Sequence, residues 1–455
     1  METDAKRIRS RGKMGVYWFA AGKAKWKFQL DPDEEGEVEA RPMLIALLFF
    51  FALTSSVAPQ SSSKPAGNGK SLERLAPVGN SLDESKPRLL IKKWELKTQE
   101  PQYRDLNWPR SEDLAAFSDE AEIAFGMSAG EGLLQFFDPH TGKSKVGAPP
   151  IAGIAPLRAG YGIDAGFFSA DATRFYLAKE CGLRAWEVKT AIALFSIVPD
   201  LGCIGDAGPL NSREIAILVD ARPGSTYTPG YAPGYAVELL DSVTGKETGR
   251  LDLGPGPDSF DTVSTWHLVT SPTAHLFAVS MGRTSGEITV RTYREDTLKP
   301  IRTISIQPSD LGFSTEDPSL DVKLTLTKDG RYLAVHKDYW LVGDPNTPVL
   351  VYDTETAQKV GSYFGGADFT LDAFSFSPDG VYLIAAGSTG YSDTNGQWRS
   401  TYRTSVRIDV YDWKRSQLTA QARPELSWDE FQSVFMLSSG EVLVQLGDRI
   451  LCFSP

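Results

Sequence analysis

The sequence predicts an all-β fold, a propeller of seven four-stranded antiparallel blades, on three recurring patterns. A polar turn frame repeats along the chain. A short apolar strand follows each turn, and a second strand, ending in an aromatic or aliphatic residue and usually an acid, follows that. Self-similarity at a period of tens of residues marks repeat architectures and outranks any element-by-element reading.

The turn frame is clearest at residues 113–121 (DLAAFSDEA), 164–172 (DAGFFSADA) and 372–380 (DAFSFSPDG). In each, an Asp is followed four residues later by Phe-Ser and a polar turn, while residues 324–330 (LTLTKDG) keep the turn alone. The strands expected after the turns are Glu122–Met127, Arg174–Lys179, Glu214–Val219, His275–Met281, Arg331–His336, Val381–Ala386 and Glu441–Leu446. The strands after those end at Asp138, Glu187, Asp241, Glu295, Asp353, Asp412 and Ser454, roughly 40 to 60 residues apart, which is the length of a four-stranded blade with some long connections. Turns such as DPHTGK from Asp138, DSVTGK from Asp241 and DTETAQ from Asp353 suit a tight reversal into a fourth strand. Short alternating runs without a helical period complete the pattern. The seventh blade shows three strands, beginning with Phe431–Met436. The orphan run at residues 89–96 (LLIKKWEL) is expected to supply its outer strand, closing the ring and covering an edge that would otherwise pair with other chains.

The FSPDG turn at residues 376–380, the RYLAV strand at 331–335 and the VYDTET turn at 351–356 resemble the blades of WD-repeat and TolB-like propellers. The resemblance covers roughly residues 88–455 and implies that fold. No blade carries the Gly-His pair of strict WD repeats, and only Trp186 and Trp413 fall near a Trp-Asp position. It therefore implies a divergent, bacterial-type, exported member without the usual His-Asp network.

Upstream of the repeats, the apolar run Met43–Leu53 followed by Thr54–Ala58 reads as a signal peptide (43–58), too short for a membrane span of about 20 apolar residues. An uncleaved signal would act as an anchor. Residues 1–42 form an extension longer than a normal n-region, which suggests an upstream start, with initiation at Val38 or Met43 as the alternatives. Residues 59–87, rich in Ser, Gly, Pro and charge, read as a flexible linker. The expected location is periplasmic or secreted.

A net charge of −11 argues against nucleic acid, which needs a dominant basic surface. Three cysteines provide no paired thiolate zinc spacing. His140, His267, His275 and His336 are scattered and read as ordinary strand or turn residues, so neither metal nor cofactor is assigned. Cys181 and Cys203 fall on one side of the blades and form a possible disulfide in an oxidising compartment, whereas Cys452 reads as a buried thiol.

The long insertions at residues 223–234, 337–348 and 388–405 belong to blades three, five and six and are expected on one face. They and their flanks carry Tyr227, Tyr231, Tyr235, Tyr339, Trp340, Tyr391, Trp398 and Tyr402. Tyr and Trp are enriched in binding hot spots, but the same residues also pack loops onto a scaffold. Asp113, Asp164 and Asp372 begin inner strands and could ring the channel mouth around a cation, although capping of their own turns is the commoner use of such acids. No catalytic residue is assigned. The function expected is a non-enzymatic extracytoplasmic scaffold that binds a protein or glycan through the aromatic loops. The alternative is a hydrolase or lyase acting on a polysaccharide or small ester at the channel mouth.

Overall fold

In the computed structural model the chain divides into two units, residues 1–79 and 80–455. The structure describes residues 8–9, 15–16, 87–97, 115–119, 123–128, 133–151, 165–179, 182–199, 203–220, 234–255, 266–281, 287–313, 321–338, 347–366, 369–391, 402–424, 431–446 and 449–455. In the first unit β1 (Ile8–Arg9) pairs antiparallel with β2 (Gly15–Val16). The expected signal peptide and linker lie outside the described residues.

The second unit begins with β3 (Arg88–Leu89) and β4 (Ile91–Lys97). Blade 1 contains β5 (Ala115–Ser118), β6 (Ile123–Ser128) and β7 (Leu133–Phe137), and its fourth strand is reduced to bridges of Leu134 with Ile151 and Phe137 with Ser144. Blade 2 is β8 (Ala165–Phe168), β9 (Arg174–Lys179), β10 (Gly182–Glu187) and β11 (Ala193–Ile197). Blade 3 is β12 (Cys203–Pro209), β13 (Glu214–Asp220), β14 (Gly234–Asp241) and β15 (Glu247–Pro255). Blade 4 is β16 (Trp266–Ser271), β17 (Leu276–Met281), β18 (Ile288–Arg294) and β19 (Pro300–Ile306). Blade 5 is β20 (Val322–Leu326), β21 (Tyr332–Lys337), β22 (Val349–Asp353) and β23 (Lys359–Tyr363). Blade 6 is β24 (Phe369–Phe376), β25 (Tyr382–Tyr391), β26 (Tyr402–Asp412) and β27 (Gln417–Ala422), and blade 7 is β28 (Phe431–Met436), β29 (Val442–Leu446) and β30 (Arg449–Ser454).

The first strands contact one another in sequence around the axis, β28 against β5 included, so the ring is closed. Seven buried apolar clusters among the described residues fill the seven interfaces between neighbouring blades. The middle strands are buried along nearly their whole length, as a sheet sandwiched between two others requires, alternate side chains going to each neighbouring blade. The cluster between blades 7 and 1 joins Leu443, Ile450 and Cys452 to Ala124 and Phe137.

The orphan N-terminal strand closes the ring, as expected: β4 pairs antiparallel with β30, from Ile91 opposite Ser454 to Lys97 opposite Arg449. Trp94 on β4 also packs edge-on against Phe137 of blade 1 at 5.8 Å and donates its indole N–H to Pro139 O at 3.0 Å. The sequence did not suggest β3, which runs parallel to β27 and makes blade 6 five-stranded.

The turn frame has a common chemistry. In Ser169, Thr327 and Ser377 the hydroxyl donates to Asp171, Asp329 and Asp379 at 2.6 Å and accepts the backbone N–H of Arg174, Tyr332 and Tyr382. Gly330 and Gly380 take positive φ values of 66° and 68° at the corresponding reversals, a conformation that glycine adopts without steric cost. Trp413 fills the blade 5–6 interface, donates to Gly380 O at 3.1 Å and meets Tyr332 edge-on at 4.7 Å.

Three boundaries differ from expectation, the first being Lys337, expected to open an insertion, which closes β21. The insertion expected over 388–405 is strand at both ends, because β25 continues to Tyr391 and β26 starts at Tyr402, held by cross-strand pairing that composition does not reveal. Residue 234, expected in an insertion, opens β14, and Tyr235 beside it is buried at 5% exposure.

Candidate functional site

Each blade presents one edge where its first and second strands are joined, by Ser/Thr-Asp turns in blades 2, 5 and 6, and an opposite edge where its second and third strands are joined. The segments joining β13 to β14, β21 to β22 and β25 to β26 are the three long insertions, so their bases share the second edge. The last paired residues of the longest ribbon, β25–β26, are Tyr391 opposite Tyr402.

At this same edge the inner strands carry a belt of charge that crosses four blades. Asp206 on β12 accepts Ala207 N–H at 2.9 Å and, from blade 4, Leu268 N–H at 3.0 Å. His267 on β16 lies with Nδ1 3.8 Å from Asp206 Oδ2 and Nε2 2.9 Å from Asp321 Oδ1. Asp338 N–H donates to Asp321 O at 2.8 Å, and the Asp338 carboxylate pairs with Lys323 at 3.1 Å. Lys323 in turn donates to Asp372 O on β24 at 3.4 Å. Burial alone would lower the pKa of His267, but the hydrogen bonds and charges of Asp206 and Asp321 outweigh it and push it up to about 10. His267, Asp321 and Asp338 offer ligand atoms that all lie within 4.8 Å of one another.

At the opposite mouth a cavity of about 330 Å³ is lined by residues of all seven blades: Phe117, Phe168, Pro209, Pro272, Leu326, Phe376 and Phe435, with Ser118, Ser169, Ser377 and Lys328 at its polar points. Around that edge, Glu441 accepts from Lys93 on β4, from Ser439 at 3.0 Å and from His140 of blade 1 at 2.5 Å. His275 meets Glu295 at 2.6 Å, and Asn211 donates to Glu295 at 2.8 Å. The fourth histidine, His336, is buried beside Phe374, and Nδ1 donates to Pro348 O at 3.3 Å.

Of the aromatic residues singled out from the sequence, Tyr227, Tyr231, Tyr339, Trp340 and Trp398 lie outside the described residues. Tyr391 and Tyr402 are brought opposite each other. Tyr235 packs with Val237, Leu239 and Leu268 in the blade 3–4 core, because alternation along β14 turns all three inward, so it supports the blade instead of lining the face. Asp113 and Asp164 are also outside the described residues, and Asp372 sits at an irregularity of β24 between Leu371 and Ala373. Asp206 holds the same place in blade 3, five residues before the turn residue Asn211, and was missed because Leu210-Asn211 replaces Phe-Ser. Its carboxylate ties blade 3 to blade 4 through the Leu268 N–H. Cys203 is disulfide-bonded, whereas Cys452 is free and buried, with its thiol pKa pushed up to about 12 by desolvation. Cys181 lies outside the described residues.

No family profile matches the chain, and no curated protein matches it in sequence. Among solved structures the chain is similar to the β-propeller domain of Cps50 (Swd1) from Myceliophteria thermophila, at 14% identity and a TM-score of 0.50, covering 75% of this chain and 96% of that domain. Likeness at that identity concerns the fold. With the closed ring of seven blades, it shows the fold to be a seven-bladed β-propeller.

Proposed function

We propose that the protein is a non-enzymatic, exported interaction scaffold that binds a protein or glycan through the edge bearing its long insertions. The observation that carries this reading is the β25–β26 ribbon. Its strands of 10 and 11 residues are the longest in the ring and end on the Tyr391–Tyr402 pair, at the edge shared with the two other tyrosine- and tryptophan-bearing insertions. A rigid ring with function carried on its connections is the usual division of labour in such scaffolds. Export is supported by the Met43–Leu53 run and by the disulfide at Cys203, a bond that persists in oxidising compartments.

The test is affinity capture from an envelope extract of the source cell with residues 59–455. The parent is compared with a folded variant carrying Tyr231, Trp340, Trp398 and Tyr402 changed to Ala. A protein or glycan retained by the parent and lost by the variant supports the reading. Equal retention by both, or no specific capture by either, overturns it.

A further inference from the structure

We propose that His267, Asp321 and Asp338 form a binding site for a divalent transition-metal ion of the zinc or manganese class at the insertion-bearing mouth of the ring. The three side chains come from the start of β16, the residue before β20 and the residue after β21, and fold topology alone brings them together. Ligand atoms around one zinc ion at about 2.0–2.2 Å stand roughly 3.3–3.6 Å apart. The candidate atoms lie within 4.8 Å of one another, so binding requires them to draw together by about an ångström. The two aspartates are already coupled, since the backbone N–H of Asp338 donates to the carbonyl of Asp321.

A separate observation comes from behind the ring of His267. Asp206 is pinned by the N–H groups of Ala207 and Leu268 and faces Nδ1 at 3.8 Å, an ion-pair distance that a small ring rotation shortens to a hydrogen bond, while Nε2 faces the aspartates. A carboxylate on the far nitrogen of a ligating imidazole is the usual outer partner in metal sites, because it holds the proton on that nitrogen and leaves the other lone pair for the ion. The charge balance agrees. Three half-buried carboxylates face the His267 imidazolium and one ammonium, that of Lys323, whose side chain is 45% exposed and reaches Asp338 from solvent, so ion binding at Nε2 releases the proton that Asp321 now accepts. A divalent ion compensates the carboxylates from within the site, and Lys323 swings outward. One nitrogen and two carboxylate oxygens favour zinc or manganese over calcium or magnesium, which take oxygen sets. Three protein ligands leave a coordination position open toward the mouth.

The test is calorimetric titration of the metal-stripped, tag-free protein with zinc, then manganese and magnesium, alongside Asp338→Asn, Asp321→Asn, Asp206→Asn and His275→Gln. The parent is expected to take one equivalent of zinc, with a matching rise in Tm, and to show no comparable uptake of magnesium. Asp338→Asn and Asp321→Asn are expected to lose that affinity by tenfold or more, and Asp206→Asn by roughly 10- to 100-fold. His275→Gln keeps it. Asp338 is partly exposed, so Asp338→Asn tests the site without threatening the fold. Absence of stoichiometric zinc binding by the parent overturns the proposal, as does unchanged affinity in both Asp338→Asn and Asp321→Asn.

Discussion

Glu441 shows how single side chains hold the ring shut. Burial would raise its pKa, but hydrogen bonds from Lys93, His140 and Ser439 win and hold it below the usual carboxylate range. A carboxylate lowered in the folded state contributes stability that is present above its unfolded pKa of about 4.5 and is lost as pH falls through the folded value. Glu441→Gln is therefore expected to lower Tm at pH 7 by a few degrees, and the gap to the parent should narrow below pH 4. Thermal unfolding across that range checks this, and a pH-independent gap would contradict it. Gly387 is a residue of a different kind. A Cβ there would lie 2.0 Å from Thr370 O, opposite the irregularity that sets Asp372. Gly387→Ala is expected to cost about 3 kcal/mol or more, because the obstacle is backbone and cannot rotate away. Chemical denaturation measures it.

Among the elements, β3 and β4 contribute most to closure. They occupy the outer edges of blades 6 and 7, and Trp94 reaches on to blade 1. Deleting residues 88–97 uncovers the edge of β30 and is expected to destabilise the whole ring and promote self-association. Trp94→Ala alone should cost about 2–3 kcal/mol, since the side chain is half-buried and hydrogen-bonded. Unchanged unfolding of the deletion would show that β4 is dispensable. The pairing of β4 was legible because an apolar run stood without a partner while blade 7 lacked a strand. The inner β strands were legible because the Ser/Thr-Asp turn demands the same residues wherever it occurs. By contrast, β3 is two residues long and carries no period, and the tips of β25 and β26 have no apolar alternation beyond Ser388, so pairing alone defines them.

For the whole molecule, the fold could be read from repetition, but the charged belt could not. His267 and Asp321 are 54 residues apart, and only the curvature of the ring places them in contact. The disulfide makes a claim at this scale as well. With Cys203 bonded and Cys452 free, the expected partner is Cys181. Alkylation of the unreduced, denatured protein should label Cys452 alone, and Cys181→Ser should lower Tm. Labelling of all three thiols would contradict the pairing.

The most direct measurement of the account is site-specific photo-crosslinking in the source cells. A photoreactive residue is placed at Trp340, in the segment joining β21 to β22, or at Tyr402 of β26, and at Thr273 or Lys328 beside the opposite mouth. The account predicts a discrete protein or glycan adduct from the first pair and none from the second. Adducts formed only from Thr273 and Lys328 would contradict it and move the binding face to the cavity between the Ser/Thr-Asp turns.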